Sequence, residues 1–232
     1  MVLMRINFEE QRKRLVKRLK DQGIIRSKKV ELSFLNVPRE EFVWPDTKNQ
    51  AYLDTPLPLG DTGQTISAPH MIAIMLEELD LERGDYVLEI GTGSGYNAAL
   101  MAYIVSDGKK EKEGKVITIE RIKDLVIFAE NNINRTTFSE YVKIVYGDGT
   151  IGYPPYEENE IYDKIIITAA APRFPRILIK QLKVGGTILA PIGDLFAQTL
   201  TKGIKRVDGT IDIKEDIECI FVPLIGEDGY KF

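Results

Sequence analysis

Apolar residues in the middle of this chain fall in short unbroken runs separated by amphipathic stretches. The runs lie near 85–91, 115–120, 141–146, 163–168 and 186–190, with helical spacing filling most of the gaps. Short apolar runs bounded by turn residues are the mark of strands buried on both faces, and their alternation with helices predicts an α/β fold around a parallel, doubly wound sheet. Upstream, residues 7–22 place Phe8, Leu15 and Leu19 on one side of a charged helix; a second short helix is expected after Ser27, and Pro38 interrupts near NVPREEF. Prolines 45, 56 and 58 with Gly60 and Gly63 make 44–64 an irregular, ordered loop ahead of a helix over 68–79. After Pro191 the pattern changes. Thr199–Val207, an Asp208-Gly209 turn and Ile211–Leu224 alternate as antiparallel strands.

The first central strand, Tyr86–Ile90, breaks into Gly91, Gly93 and Gly95, and a helix is expected from Tyr96. A glycine-rich strand-to-helix turn lets a ligand lie against bare backbone with a helix N-terminus aimed at it. The dinucleotide fingerprint would need its third glycine at position 96, where Tyr96 stands, and no lysine follows to make a phosphate loop. The pattern is instead E-x-G-x-G-x-G, running from Glu89 through Gly91, Thr92, Gly93 and Gly95. A carboxylate facing such a turn suits a ligand that carries an ammonium, as the methionine end of S-adenosylmethionine does. The motif points to the class I S-adenosylmethionine-dependent methyltransferase fold, a Rossmann-like sheet; a glycine turn without ligand is the alternative.

Downstream acids fit that geometry. KVITIE ends in Glu120, followed by Arg121, at the distance where Rossmann-type folds place the acid that accepts ribose hydroxyls. The strand near 141–146 runs into Gly147-Asp148-Gly149, where Asp148 either accepts from an adenine amino group or simply holds the turn. Acids closing three strands fall on one carboxyl edge, where open α/β sheets bind ligands. The charged segment 106–115 reads as a surface loop.

Composition narrows the partners. The 232 residues suit a single methyltransferase domain, with a helical and loop segment over 1–64, a cofactor-binding core over 65–195 and antiparallel strands over 196–232. A net charge of −4 argues against nucleic acid or an acidic membrane surface as partner. One cysteine, Cys219, reads as a reduced core thiol, and no apolar stretch approaches membrane-spanning length, so a cytoplasmic protein is expected.

The acceptor is argued by elimination. Tyr153-Pro154-Pro155-Tyr156 resembles the proline motif of amino-methyltransferases but precedes the strand DKIIIT instead of following it, and so reads as a rigid loop. Thr168-Ala169-Ala170-Ala171-Pro172, after that strand, has no carboxylate for a metal, so none is expected. A carboxylate acceptor remains, since it is already ionised near neutrality and needs neither base nor metal. Gln64-Thr65-Ile66-Ser67-Ala68-Pro69-His70 offers two hydroxyls and a helix N-terminus as an anion cradle. Ser67 is equally placed to be a plain N-cap, and His70, the one histidine, to be a structural hydrogen-bonder.

QTISAPHM, VLEIGTGSGYNAA, ITIER, YGDGTIGYP, YDKIIITAAAP, LKVGGTILAPIG and FVPLIG stand in order along nearly the whole chain. In these segments the sequence resembles the protein-L-isoaspartate (D-aspartate) O-methyltransferase family. The resemblance implies methyl transfer from S-adenosylmethionine to the free α-carboxylate of isoaspartyl residues in damaged proteins and peptides. It places the active-site serine at Ser67. It places cofactor contacts at Gln64, Thr65, Ile66, Ser67, Glu89, the 91–95 turn, Glu120, Arg121, Asp148, Gly149 and Gln198, and substrate contacts at Thr65, Ser67, His70 and the backbone of Val222. Other readings of the glycine motif are a methyltransferase for tRNA adenine or a corrinoid intermediate, and a non-catalytic S-adenosylmethionine-binding module.

Overall fold

The structure, a computed structural model, describes residues 7–106 and 114–231. Most of the expected charged surface loop, residues 107–113, therefore lies outside the described residues. Asn7 opens α1 (Phe8–Asp21) by accepting the Glu10 amide, with Glu9 and Glu10 in the first turn and Arg18 and Lys20 in the last, as helix ends favour. Ser27 caps α2 (Lys28–Asn36) in the same way through the Val30 amide. The stretch expected as loop holds a 3-10 turn over 45–50 and half of a small hairpin, β1 (Leu57–Pro58) with β2 (Thr65–Ile66). Pieces this short carry no hydrophobic period, so the sequence could not show them. α3 (Pro69–Leu79) begins one residue later than expected. Pro69 takes the first helical position, where a missing amide costs nothing.

β3 (Tyr86–Ile90), α4 (Tyr96–Ser106), β4 (Lys115–Glu120), α5 (Lys123–Ile133) and β5 (Val142–Tyr146) build one half of the main sheet. β6 (Tyr162–Ile167), α6 (Arg176–Gln181), β7 (Leu182–Gly193), β8 (Gln198–Lys205) and β9 (Ile211–Cys219) build the other. The order across the sheet is β5-β4-β3-β6-β7-β8-β9, parallel through β7 and antiparallel from β7 to β8 and from β8 to β9. The expected last strand stops at Cys219 instead of Leu224. Pro223 cannot donate to a ladder, and the chain crosses to Ala170, whose amide donates to the Val222 carbonyl at 2.8 Å and whose carbonyl accepts the Leu224 amide at 2.7 Å.

Strand alternation sorts the core into two layers. Leu88, Ile90, Ile117, Ile119, Ile165 and Ile167 pack with Leu178 of α6 on one face. Val87, Val116 and Ile166 pack on the other, against α2, α3 and α4. By the same period of two, Glu89, Thr118 and Glu120 project onto the second face, and they are buried there. The Tyr153–Tyr156 loop is held away from the site: Gln181 donates to the Pro154 and Glu157 carbonyls and accepts the Tyr153 amide. Cys219 is a buried free thiol, and burial pushes its pKa up to about 11. No helix among the described residues is long and apolar enough to cross a membrane.

Candidate active site

β3, β4, β5 and β6 end on one edge, and their first residues beyond the sheet meet there. Gly91 has φ +101°, and a Cβ on it would lie 2.4 Å from Thr168 Oγ1, the hydroxyl that donates to the Gly91 carbonyl at 2.8 Å. Glycine is required there by backbone conformation and by this close approach of β6. Gly95, φ +84°, lets α4 lie close to Ala129 and Ile133 of α5. The Gly91 and Thr92 amides donate to the Ile119 carbonyl, fixing the turn across β4.

A polar group lies beneath the turn. Glu89 is fully buried; Asn97 Nδ2 donates to its Oε1 at 2.7 Å and Thr118 Oγ1 to its Oε2 at 2.6 Å. The Thr118 hydroxyl lies 2.6 Å from that of Thr92, so the carboxylate is linked to the turn by a chain of two hydroxyls. Burial pushes Glu89 up to about 7, against the lowering pull of its two donors and with a further push from the neighbouring Glu120 charge. Glu120 is held differently. The Gly93 amide donates to Oε2 at 3.0 Å and the Ile122 amide to Oε1 at 2.9 Å, which aims the carboxylate at the space above the turn.

That space is an open cleft along the carboxyl edge of the sheet. Gln64, Thr65, Ile66, Ser67, Gly91, Thr92, Gly93, Glu120, Arg121, Gly149 and Val222 all border it. These expected residues come from five separate parts of the chain. Ile119, Ile122 and Leu125 add apolar wall beside Glu120.

Five expected residues are not on the cleft wall. Glu89 lies under the turn, and Gly95 closes the turn on the side that faces α5. Asp148 holds its own turn, with Oδ1 accepting from the Thr150 amide and hydroxyl and Oδ2 from the Glu227 amide. The wall at that point is Gly147 and Gly149. Gln198 joins two loops, donating to the Asp194 carbonyl and accepting the Phe221 amide at 2.8 Å. His70 gives both its amide and its ring Nδ1 to Asp54 Oδ1, each at 2.9 Å.

The same contact narrows the expected anion cradle: Pro69 has no amide and that of His70 is taken by Asp54, so the first two positions of α3 offer no free donor. The possibility that Ser67 merely caps the helix also falls, because the N-cap is Ala68 and no side chain caps this helix. The Ser67 hydroxyl makes no hydrogen bond among the described residues, while its residue borders the cleft. Asn97, Thr118 and Thr168 were missed by sequence reasoning. Thr118, a lone hydroxyl inside an apolar strand, was the visible signal; its pairing with Glu89 needed the sheet register.

Comparison with known proteins decides the family. The family model described as protein-L-isoaspartate(D-aspartate) O-methyltransferase matches residues 10–229. The chain belongs to this family. A protein-L-isoaspartate O-methyltransferase of Staphylothermus marinus is 54% identical over 229 residues, covering 98% of this chain and 100% of the relative. One from Methanopyrus kandleri is 50% identical over 224 residues, covering 97% and 95%. Among solved structures, a Plasmodium falciparum protein assigned to the same activity, in complex with S-adenosyl-L-homocysteine, superimposes with a TM-score of 0.81 at 30% identity, over 95% of this chain and 99% of that one. The activity is the family's, S-adenosylmethionine-dependent methylation at protein isoaspartate. The tRNA, corrinoid and non-catalytic readings give way to it. The cleft itself fits the family's cofactor: a bare-backbone floor at Gly91 and Gly93, an aimed carboxylate at Glu120 and a flanking apolar wall match a nucleoside with a polar tail.

Proposed function

We propose that this site methylates the free α-carboxylate of L-isoaspartyl residues in damaged proteins and peptides, with Ser67 orienting the accepting oxygen. S-adenosylmethionine, when bound, supplies a methyl on a positively charged sulfur, which an ionised carboxylate oxygen accepts without prior loss of a proton. Glu120, held by the Gly93 and Ile122 amides, would accept from the ribose hydroxyls of the cofactor, and Ile119, Ile122 and Leu125 would supply the apolar side for its base. The Thr65 and Ser67 hydroxyls form the acceptor end, and the apolar rim restricts water, so alignment supplies the rate. Val222–Leu224 lie along the rim. The Val222 carbonyl and Leu224 amide are used by Ala170, which leaves the Pro223 carbonyl on the other edge for a peptide. A methyl ester is a better electrophile than a carboxylate, so the following amide nitrogen closes a succinimide with loss of methanol, and hydrolysis of the ring returns some aspartate. A single free thiol suits the cytoplasm as the place of action.

The observation that carries this reading is the unpartnered Ser67 hydroxyl on the same cleft as Glu120. The test is labelled methyl transfer into an isoaspartyl peptide, its aspartyl isomer and a tRNA. Transfer to the isoaspartyl peptide alone is expected. Equal labelling of the aspartyl isomer would overturn the acceptor assignment.

A further inference from the structure

Arg39 is the largest fully buried side chain of the described residues, and it forms no ion pair with a carboxylate among them. Its Nε donates to the Ala51 carbonyl at 2.9 Å and its Nη2 to the Ser67 carbonyl at 3.0 Å, while Nη1 is buried without a partner. Burial pulls its pKa down to about 10, so the guanidinium remains charged at neutral pH. It rests 5.2 Å from the centre of the Tyr96 ring, and Tyr96, the first residue of α4, borders the cleft. A buried cation without a carboxylate is costly, and an apolar residue of similar volume would fill such a place at less expense. Stability alone therefore does not account for it.

We propose that Arg39 is a positioning residue for the reaction: by bridging the Ala51 and Ser67 carbonyls against Tyr96 it sets the backbone of Ser67, and so its hydroxyl, relative to the glycine turn. The planar fork of the guanidinium serves two carbonyls at once, which a lysine ammonium cannot do in one plane. The cation also lies behind a serine that faces an anionic acceptor, so its charge favours carboxylate over neutral groups there. The Arg39 tether ties the N-terminal helical segment to catalysis, a role that segment lacks in a plain cofactor-binding sheet.

This inference rests on Ser67 as the orienting residue, and the test separates the two. Turnover, KM for an isoaspartyl peptide and S-adenosylmethionine affinity are measured for Arg39→Met, Arg39→Lys, Ser67→Ala and the double variants. Arg39→Met is expected to lower kcat tenfold or more with cofactor affinity within about threefold, and Arg39→Lys to recover part of the loss. In the Ser67→Ala background the Arg39 substitutions should cost less than twofold further, since a residue acting through Ser67 has nothing left to position. Impaired Ser67→Ala with Arg39 effects that are absent or fully additive would overturn the role of Arg39. Normal turnover in Ser67→Ala would overturn the reading of Ser67 itself. If Arg39→Met does not fold, the same non-additivity is read from Arg39→Lys.

Discussion

Glu89 and Thr118 stand opposite each other on neighbouring parallel strands, and the threonine hydroxyl donates to the glutamate at 2.6 Å in the buried interior of the sheet. The pair sits directly under the glycine turn, with Asn97 on the other carboxylate oxygen. Glu89 therefore lies below the cleft and not on its wall, and its own protonation is tied to folding.

That linkage gives a pH dependence. Glu89 titrates near 7 in the fold against 4.5 for an ordinary glutamate, so the folded state holds its proton more tightly than the unfolded one. Stability without cofactor should fall as pH rises from about 4.5 to 7 and then level off, by up to on the order of 3 kcal/mol from this group. Glu89→Gln should flatten that slope in denaturant midpoints taken from pH 5 to 8. An identical slope in the variant would remove Glu89 as its source.

Glu120→Ala should weaken S-adenosylmethionine binding by about tenfold or more, as bonds to a charged group are worth about 1.5–3 kcal/mol at most. It should also lower the thermal midpoint, because the Gly93 and Ile122 amides lose their acceptor. Calorimetry showing unchanged affinity would take Glu120 out of the cofactor site.

Ser67→Ala should reduce turnover by tenfold or more with little change in stability, within about 0.5 kcal/mol, because its hydroxyl caps no helix. Turnover and thermal unfolding measured on the same preparation check both halves. A stability loss with normal turnover is the pattern of a structural serine.

His70→Asn should leave the pH profile of single-turnover methyl transfer flat between about pH 6 and 8, since an α-carboxylate titrates near ~3.5. An acid limb at roughly pH 6–7 that vanishes in the variant would mean that His70 moves a proton.

The order of strands and helices, the glycine turn and the acids that close β3 and β4 were legible in the sequence. Each is a local property: burial on both faces writes an apolar run, and a turn against a ligand requires glycine in that stretch of chain. The family segments were legible for the same reason. What depended on contacts between distant residues was not. That Asp148 and Gln198 spend their polar atoms on Glu227, Thr150, Asp194 and Phe221 follows from where the C-terminal segment crosses to Ala170. That the amide and ring of His70 are taken depends on Asp54, which lies 16 residues back along the chain and meets the start of α3. Arg39 sits in a charged stretch that reads as solvated surface, yet it is fully buried. Local pattern reports which face of an element is apolar, but a polar atom's partner is set by chain segments that meet only when the whole fold closes.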